Sequence, residues 1–432
     1  MNEIILKRGK EESLKRFHPW VFSGAIAKVV LDKRYPHDVP EEGSIIGVRS
    51  HDGEWLGAGH WQIGSIAVRM IAFANECSFF ENLADGFPRE LLVERINTAL
   101  GVRKAAGLLR EDNNAFRLVH GEGDFLPGLV VDIYGNTAVV QAHSVGMHRE
   151  RNKIAGVIAE VLPWVSKVYY KSSGTLPFKA PVPEAERQDR YITGCLESED
   201  ECVAVENGLT FGIDWLRGQK TGFFLDQRDN RALVEHYARG RKVLNMFCYT
   251  GGFSVYALRG GALSVHSVDV SSIATALAEQ NVIRNFPDSL SVQQNSLSPV
   301  SCIQHQVFTD DAFHFFANPP QEHDGMEVRY DLVILDPPAF AKHRDAVKNA
   351  LQGYKRLNAK AMEKIASGGI LFTFSCSQAI DKEMFRLAVF SAAAITGRRV
   401  RILHQLHQPA DHPVSIYHPE GEYLKGLVLY VE

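Results

Sequence analysis

The side chains of this sequence best placed to do chemistry are Cys376 and Asp336, and each follows a short apolar run. Cys376 comes after Ile370-Leu371-Phe372-Thr373-Phe374-Ser375, with Ser375 and Ser377 on either side. Asp336 comes after Leu332-Val333-Ile334-Leu335 and precedes Pro337 and Pro338. Proline cannot continue a central ladder, so the chain must leave its sheet there. In an open α/β sheet the carboxyl ends of the strands are where ligands bind. A carboxylate beside main-chain carbonyls at that edge suits the polar rim of a flat base. A thiolate at the same edge can add to C6 of a pyrimidine and make C5 rich enough to take a methyl group from a sulfonium. Taken alone, inert packing explains a cysteine and helix capping explains an aspartate.

A nucleotide-like cofactor fits the same edge. The loop Asn245 to Gly252 lies between a strand and a helix beginning near Phe253. Adjacent glycines let backbone approach a ligand, and a helix N-terminus offers free N–H groups. Phe247, Tyr249, Thr250 and Gly251 of this loop are expected at the cofactor, whereas Cys248 packs. The loop is not the G-x-G-x-x-G dinucleotide pattern. Asp269, about 20 positions on, is the expected acceptor for ribose hydroxyls; capping the helix near Ser272 is its alternative role. Asp311, before the small Ala312, can accept the exocyclic amine of an adenine, while Asp310 is solvated. The segment Gly218 to Arg231 is too dense in glycine and polar residues for a plain connection. It reads as a lid, with Phe223 or Phe224 packing on a ring and Lys220 or Arg228 near a carboxylate. Asp226 joins this set or caps the helix that follows.

The elements that must hold these groups alternate strand and helix from about residue 190, which implies a parallel sheet covered on both faces. Lys242 to Asn245, Ser264 to Asp269, Leu332 to Asp336 and Ile370 to Ser375 are its strand candidates. Residues 1–73 read as short strands of a small β-barrel-like module, with His18, Trp20, Phe22 and Trp61 as its exposed aromatic candidates. Residues 74–185 read as an α+β module, with a helix over Arg89 to Leu109 and strands at Leu129 to Ile133, Ala138 to Gln141 and Lys167 to Lys171. Pro177 to Asp189 is polar and proline-bearing and reads as a linker into residues 186–432.

At 432 residues, 45% apolar and 23% charged, the chain has the composition of a soluble protein of two to three domains. Its N-terminal residues have no apolar segment and no run approaches a membrane span, so the cytoplasm is expected. The six cysteines (Cys77, Cys195, Cys202, Cys248, Cys302 and Cys376) form no CxxC pair, so reduced thiols and no metal are expected. A net charge of −4 argues against coating nucleic acid by bulk charge. Local basic groups remain, at Lys7, Arg8, Lys10, Lys15 and Arg16, and at Arg398, Arg399 and Arg401.

Taken together, the motifs resemble the bacterial large-subunit ribosomal RNA cytosine-C5 methyltransferases that carry an N-terminal PUA domain. The resemblance spans the chain. It is carried by His18-Pro19-Trp20-Val21-Phe22, Gly121-Glu122-Gly123-Asp124-Phe125-Leu126-Pro127-Gly128-Leu129 and Lys220-Thr221-Gly222-Phe223-Phe224-Leu225-Asp226-Gln227-Arg228. It continues in Phe247-Cys248-Tyr249-Thr250-Gly251-Gly252-Phe253, Asp336-Pro337-Pro338, Phe374-Ser375-Cys376-Ser377 and Asp411-His412-Pro413. It implies a PUA module, a central α+β module and a Rossmann-like class I methyltransferase domain using S-adenosylmethionine. It also implies a large-subunit ribosomal RNA partner, no membrane partner and one catalytic cysteine matching Cys376; a homodimer is left open. Many RNA cytosine-C5 methyltransferases carry a second cysteine just after the Asp-Pro-Pro-like position, where this chain has Ala339. Asp411-His412 is the candidate base for the C5 proton. The rival readings are methyl transfer to an exocyclic amine of adenine or guanine, which needs no thiol, and an RNA-binding module without turnover.

Overall fold

The computed structural model describes residues 1–32, 40–76, 86–177, 181–196, 198, 202–287, 304–322, 324–341 and 343–432. Cys77 and Cys302 lie outside the described residues. The chain folds into two compact units. One holds Met1–Val205, Ile213–Leu225 and Ala410–Gly421; the other holds Glu206–Gly212, Asp226–Pro409 and Glu422–Glu432.

The first unit contains two sheets. Six short strands from residues 3–73 run in the order Trp20–Phe22, Ile66–Phe73, Trp55–Trp61, Ile45–Arg49, Glu3–Leu6, Ile26–Val30. Ile4, Leu6, Ile46, Val48, Val68 and Met70 form their core. A five-stranded sheet follows, in the order Arg190–Thr193, Lys167–Tyr170, Thr137–Ala142, Leu129–Tyr134, Ala115–His120. The helices Arg89–Ala105 and Arg151–Val161 bury Leu91, Ile96, Ile154 and Ile158 in its core. Ala58, Ile71 and Ala72 of the six-stranded sheet belong to that second core, so the two sheets do not have separate interiors.

Two expectations change here. Pro177 to Asp189 includes the helix Glu184–Arg187, and the next strand, Arg190–Thr193, pairs antiparallel with Lys167–Tyr170. The segment therefore returns to the same sheet, and strand–helix alternation begins only after residue 225. Ahead of it stands a hairpin, Val203–Glu206 with Leu209–Gly212, turning on Asn207 (φ +49°) and Gly208 (φ +77°). Asn-Gly with both φ positive is the turn that matches strand twist.

The second unit is built on seven strands: β1 (Lys242–Met246), β2 (Ser264–Asp269), β3 (Gln304–Thr309), β4 (Tyr330–Leu335), β5 (Ile365–Ser375), β6 (Val400–Leu406) and β7 (Lys425–Val431), in the order β3-β2-β1-β4-β5-β7-β6. β1 to β5 are parallel, and β7 runs antiparallel to both β5 and β6. Leu332, Val333, Ile334 and Leu335 are wholly buried, as a strand covered on both faces requires. From β1 the chain proceeds outward through β2 and β3, then returns to place β4 and β5 on β1's other side. That reversal is the switch point at which open α/β sheets bind ligands. Among the described residues, no helix is long and apolar enough to cross a membrane.

Candidate active site

The loop after β1 is shaped by its backbone. Phe247, Tyr249 and Gly251 have φ of +59°, +46° and +76°, a conformation that side chains other than glycine resist. Gly251 is required as glycine, because a Cβ there would come within 2.8 Å of Ala278 Cβ. The loop is pinned by Cys248 N–H to the Val268 carbonyl (2.9 Å) and by Asn281 Nδ2 to the Thr250 carbonyl (2.9 Å). No side chain caps the helix Gly252–Arg259 that follows, so its first N–H groups are left for a ligand or solvent.

Asp269 ends β2. Its two oxygens accept the backbone N–H groups of Tyr249 and Ser271, each at 3.0 Å. It does not cap the next helix; Ser271 does, accepting Ala274 N–H at 3.3 Å. Asp311 is exposed and caps the helix Ala312–Ala317, its Oδ1 accepting Phe313 and His314 N–H at 2.9 and 3.2 Å. Asp310 pairs with His314 at 2.8 Å.

Asp336 follows β4, half-buried, and its Oδ2 accepts Gln227 Nε2 at 3.0 Å. Gln227 is in turn held by Asn230 Nδ2 at 2.6 Å. Gln227 also occupies the N-cap position of the helix Arg228–Ala238, so Asp226 is not its cap. Asp226 is buried and accepts Tyr423 Oη–H at 2.6 Å. Arg228, expected near a ligand carboxylate, is 2% exposed and ion-paired with Glu206 at 3.4 Å. Glu206 also takes both ends of the Arg231 fork, at 2.9 and 2.7 Å.

Cys376 lies just past β5, half-buried, with its Sγ 4.0 Å from the Pro337 carbonyl oxygen. Its neighbours are locked. Ser377 Oγ accepts Ala341 N–H (3.2 Å) and pairs with Tyr354 Oη (3.1 Å), and the Ser377 carbonyl accepts Lys425 Nζ (2.7 Å). The loops after β4 and β5 are thus tied together around the thiol. Cys248 is different: it is buried, and burial pushes its thiol well above the ordinary range. A thiol that cannot ionise is poor as a nucleophile.

Lys220 and Phe223 fold with the first unit. Lys220, at φ +48°, lies 4.6 Å from the Phe224 ring centroid, and Phe223 is buried. Their segment is clamped: Lys171 Nζ donates to the carbonyls of Trp215 and Gly218, both at 2.6 Å, and Thr221 Oγ1–H donates to Asp132 at 2.5 Å. Asp411 and His412 are buried in that unit too. Asp411 accepts Arg117 N–H (3.0 Å), and its carbonyl accepts Arg103, which forms a two-pronged ion pair with Asp124. They are a structural clasp rather than an accessible base. Among the described residues, His18, His418 and Glu420 of the first unit form the one group with three metal-type ligand atoms, all within 4.8 Å.

A family model for S-adenosylmethionine-dependent methyltransferases matches residues 190–416, and a PUA-like domain model matches residues 4–73. A relative from Alteromonas mediterranea named ribosomal RNA large subunit methyltransferase I is 38% identical, covering 99% of this chain and 98% of its own. One of the same name from Shewanella amazonensis is 36% identical over 99% of both. The chain belongs to the ribosomal RNA large subunit methyltransferase I family. A methyltransferase solved with SAH shares the fold, with a TM-score of 0.77 over the whole of both chains at 21% identity. The family cofactor is S-adenosylmethionine, and its fold is that expected from the motifs: a PUA-like N-terminal domain and a class I methyltransferase sheet. Local sequence pattern does not single out two residues at the site: Gln227 lies inside the Lys220 to Arg228 motif, and Lys425 is a lone cation opening an apolar run.

Proposed function

We propose that this S-adenosylmethionine-dependent methyltransferase makes 5-methylcytosine in large-subunit ribosomal RNA, with Cys376 as nucleophile. The large-subunit RNA substrate follows from the names of relatives aligned over almost the whole chain. The observation that carries the chemistry is the half-buried Cys376 thiol 4.0 Å from the Pro337 carbonyl, one residue past Asp336.

The site fits the cofactor. Phe247, Tyr249, Thr250 and Gly251 provide a close-approach loop and uncapped N–H groups, and Asp269 is the acceptor for the ribose. Asp311 is the acceptor for the adenine amine, using the oxygen its capping bonds leave. Asp226 and Arg228 complete the cofactor set, Arg228 acting through Glu206 to set the helix behind it. When bound, the cofactor supplies an electrophilic methyl carbon. C5 of cytosine is a poor nucleophile until a nucleophile adds to C6 and shifts the C5–C6 π electrons toward C5, so addition of the Cys376 thiolate to C6 is the enabling step. Asp336, aligned by Gln227, holds the polar edge of the base, and the Pro337 carbonyl is an acceptor for its amine. Loss of the C5 proton then expels the thiolate and restores aromaticity. With Ala339 where other enzymes have a second cysteine, release relies on a general base rather than a second thiol.

We assign 1–73 as an RNA-binding module. Of the other two expected domains, 74–185, the central α+β module, extends past its expected end and 186–432, the methyltransferase, starts later, because Arg190–Thr193 closes the central sheet. The test is to map modified nucleotides in large-subunit RNA incubated with and without the protein. A new 5-methylcytosine supports the reading; a methylated exocyclic amine of adenine or guanine replaces it.

A further inference from the structure

One buried cation beside the proposed nucleophile has no part in the steps above. Lys425 opens β7 and is 5% exposed. It sits opposite Ser375 in the antiparallel ladder, and its Nζ donates to the Ser377 carbonyl at 2.7 Å. It therefore spans Cys376, with its backbone against the residue before and its ammonium on the residue after.

The approach to Lys425 is fixed as well. Gln408 Oε1 accepts the N–H groups of Tyr423 and Leu424 at 3.2 and 3.3 Å, and Tyr423 is anchored on Asp226. Gly426 lets the strand press on Phe374, whose ring a Cβ there would meet at 2.6 Å. A lysine is seldom buried without a charged partner, and a single carbonyl bond offsets little of the cost of desolvating an ammonium. Of the charged groups acting on Lys425, Cys376 favours the ammonium most, followed by Asp381 and Glu422, with Lys382 opposing. Tyr354 completes the surroundings through Ser377 Oγ.

We propose that Lys425 is a positioning residue that holds Cys376 as a thiolate through an ammonium–thiolate pair. The inference rests on Cys376 being the nucleophile. Burial pulls Lys425 down to about 8, so its amine can take up and hold a proton near neutral pH. Where Lys425 is the free amine, the Cys376 S–H bond breaks and its proton passes to the Nζ lone pair, leaving total charge unchanged; where Lys425 is already the ammonium, the thiol proton leaves to solvent. The thiolate pair forms the C6–S bond; on elimination those electrons return to sulfur beside the same ammonium. The C5 proton goes to another base.

The test follows Cys376 alkylation by iodoacetamide against pH, read by mass spectrometry of the Cys376 peptide. In the wild type the midpoint should lie below the ordinary thiol value of about 8.5. Lys425→Met should raise it by about one unit and slow alkylation at pH 7 by about tenfold. Lys425→Arg, always charged, should restore the low midpoint. An unchanged midpoint in Lys425→Met, with SAH affinity intact, overturns the inference. Should Lys425→Met not fold, Lys425→Arg decides: its midpoint must stay low while the kcat profile loses its break near pH 8, and a retained break overturns the inference. Undiminished turnover in Cys376→Ala refutes the parent reading; an unchanged Lys425→Met midpoint with covalent RNA adducts still forming refutes this inference alone.

Discussion

Replacing Asp269 with alanine tests the cofactor edge at its most connected point. Each carboxylate oxygen accepts a backbone N–H at 3.0 Å, one from Tyr249 in the β1 loop and one from Ser271. In the proposed complex the same oxygens also take the ribose hydroxyls. A hydrogen bond to a charged group contributes about 1.5–3 kcal/mol, so its loss weakens binding roughly 10- to 150-fold. The Tyr249 contribution adds to this. Tyr249 holds φ +46°, and without its acceptor the loop has less reason to keep that conformation. The expected loss is therefore toward the upper end of the range. Asp269→Asn keeps an acceptor but turns an amide N–H toward one backbone donor, and should lie between alanine and wild type. Calorimetric titration with SAH, which is not turned over, reads all three, and thermal melting confirms that the variants are folded. Affinity of Asp269→Ala within twofold of wild type would refute the assignment.

Two further outcomes are expected. Lys10 and Arg16 are exposed in the N-terminal module; if they contact phosphates, Lys10→Ala and Arg16→Ala should each lower the salt slope of RNA binding by about one, and unchanged slopes would move the footprint elsewhere. His60 is buried and its imidazole is held down at about 4; because the unfolded chain takes its proton first, stability should be full above about pH 6.5 and fall toward pH 4, by up to about 3 kcal/mol from this group. Urea midpoints at pH 7.5 and 5 measure the total fall, to which His143, His148, His266 and His305, whose imidazoles are likewise held down, also contribute, and His60→Leu should reduce it by His60's share.

The sheet was legible wherever a strand is buried on both faces. Leu332 to Leu335 and Ile370 to Ser375 are continuous apolar runs ending in a carboxylate and a thiol, and they became β4 and β5. The C-terminal hairpin of β6 and β7 was not foreseen, although Gly426-Leu427-Val428-Leu429-Tyr430-Val431 is as apolar as β4. Lys425 reaches Cys376's neighbours only through antiparallel register, which no local pattern reports. Asn207-Gly208 is a turn signal legible in the sequence, and both residues take positive φ. Pro177 to Asp189 misled, because proline and charge describe an exposed segment equally well between domains or inside one. Deleting residues 1–73 is for the same reason a poor test of RNA capture, since it would strip Ala58, Ile71 and Ala72 from the neighbouring core. Point variants are the cleaner probe.

The measurement closest to the central claim is covalent trapping on large-subunit RNA that carries 5-fluorocytosine. Fluorine cannot leave C5 as a proton, so a thiolate that has added to C6 stays attached after methyl transfer. The wild-type protein should form a denaturation-resistant RNA adduct whose cross-linked peptide contains Cys376. Cys376→Ala should form none and lose turnover while keeping its SAH affinity. A wild-type protein that methylates RNA without any adduct, alongside a Cys376→Ala variant of comparable rate, would contradict the C5 mechanism and leave transfer to an exocyclic amine in its place.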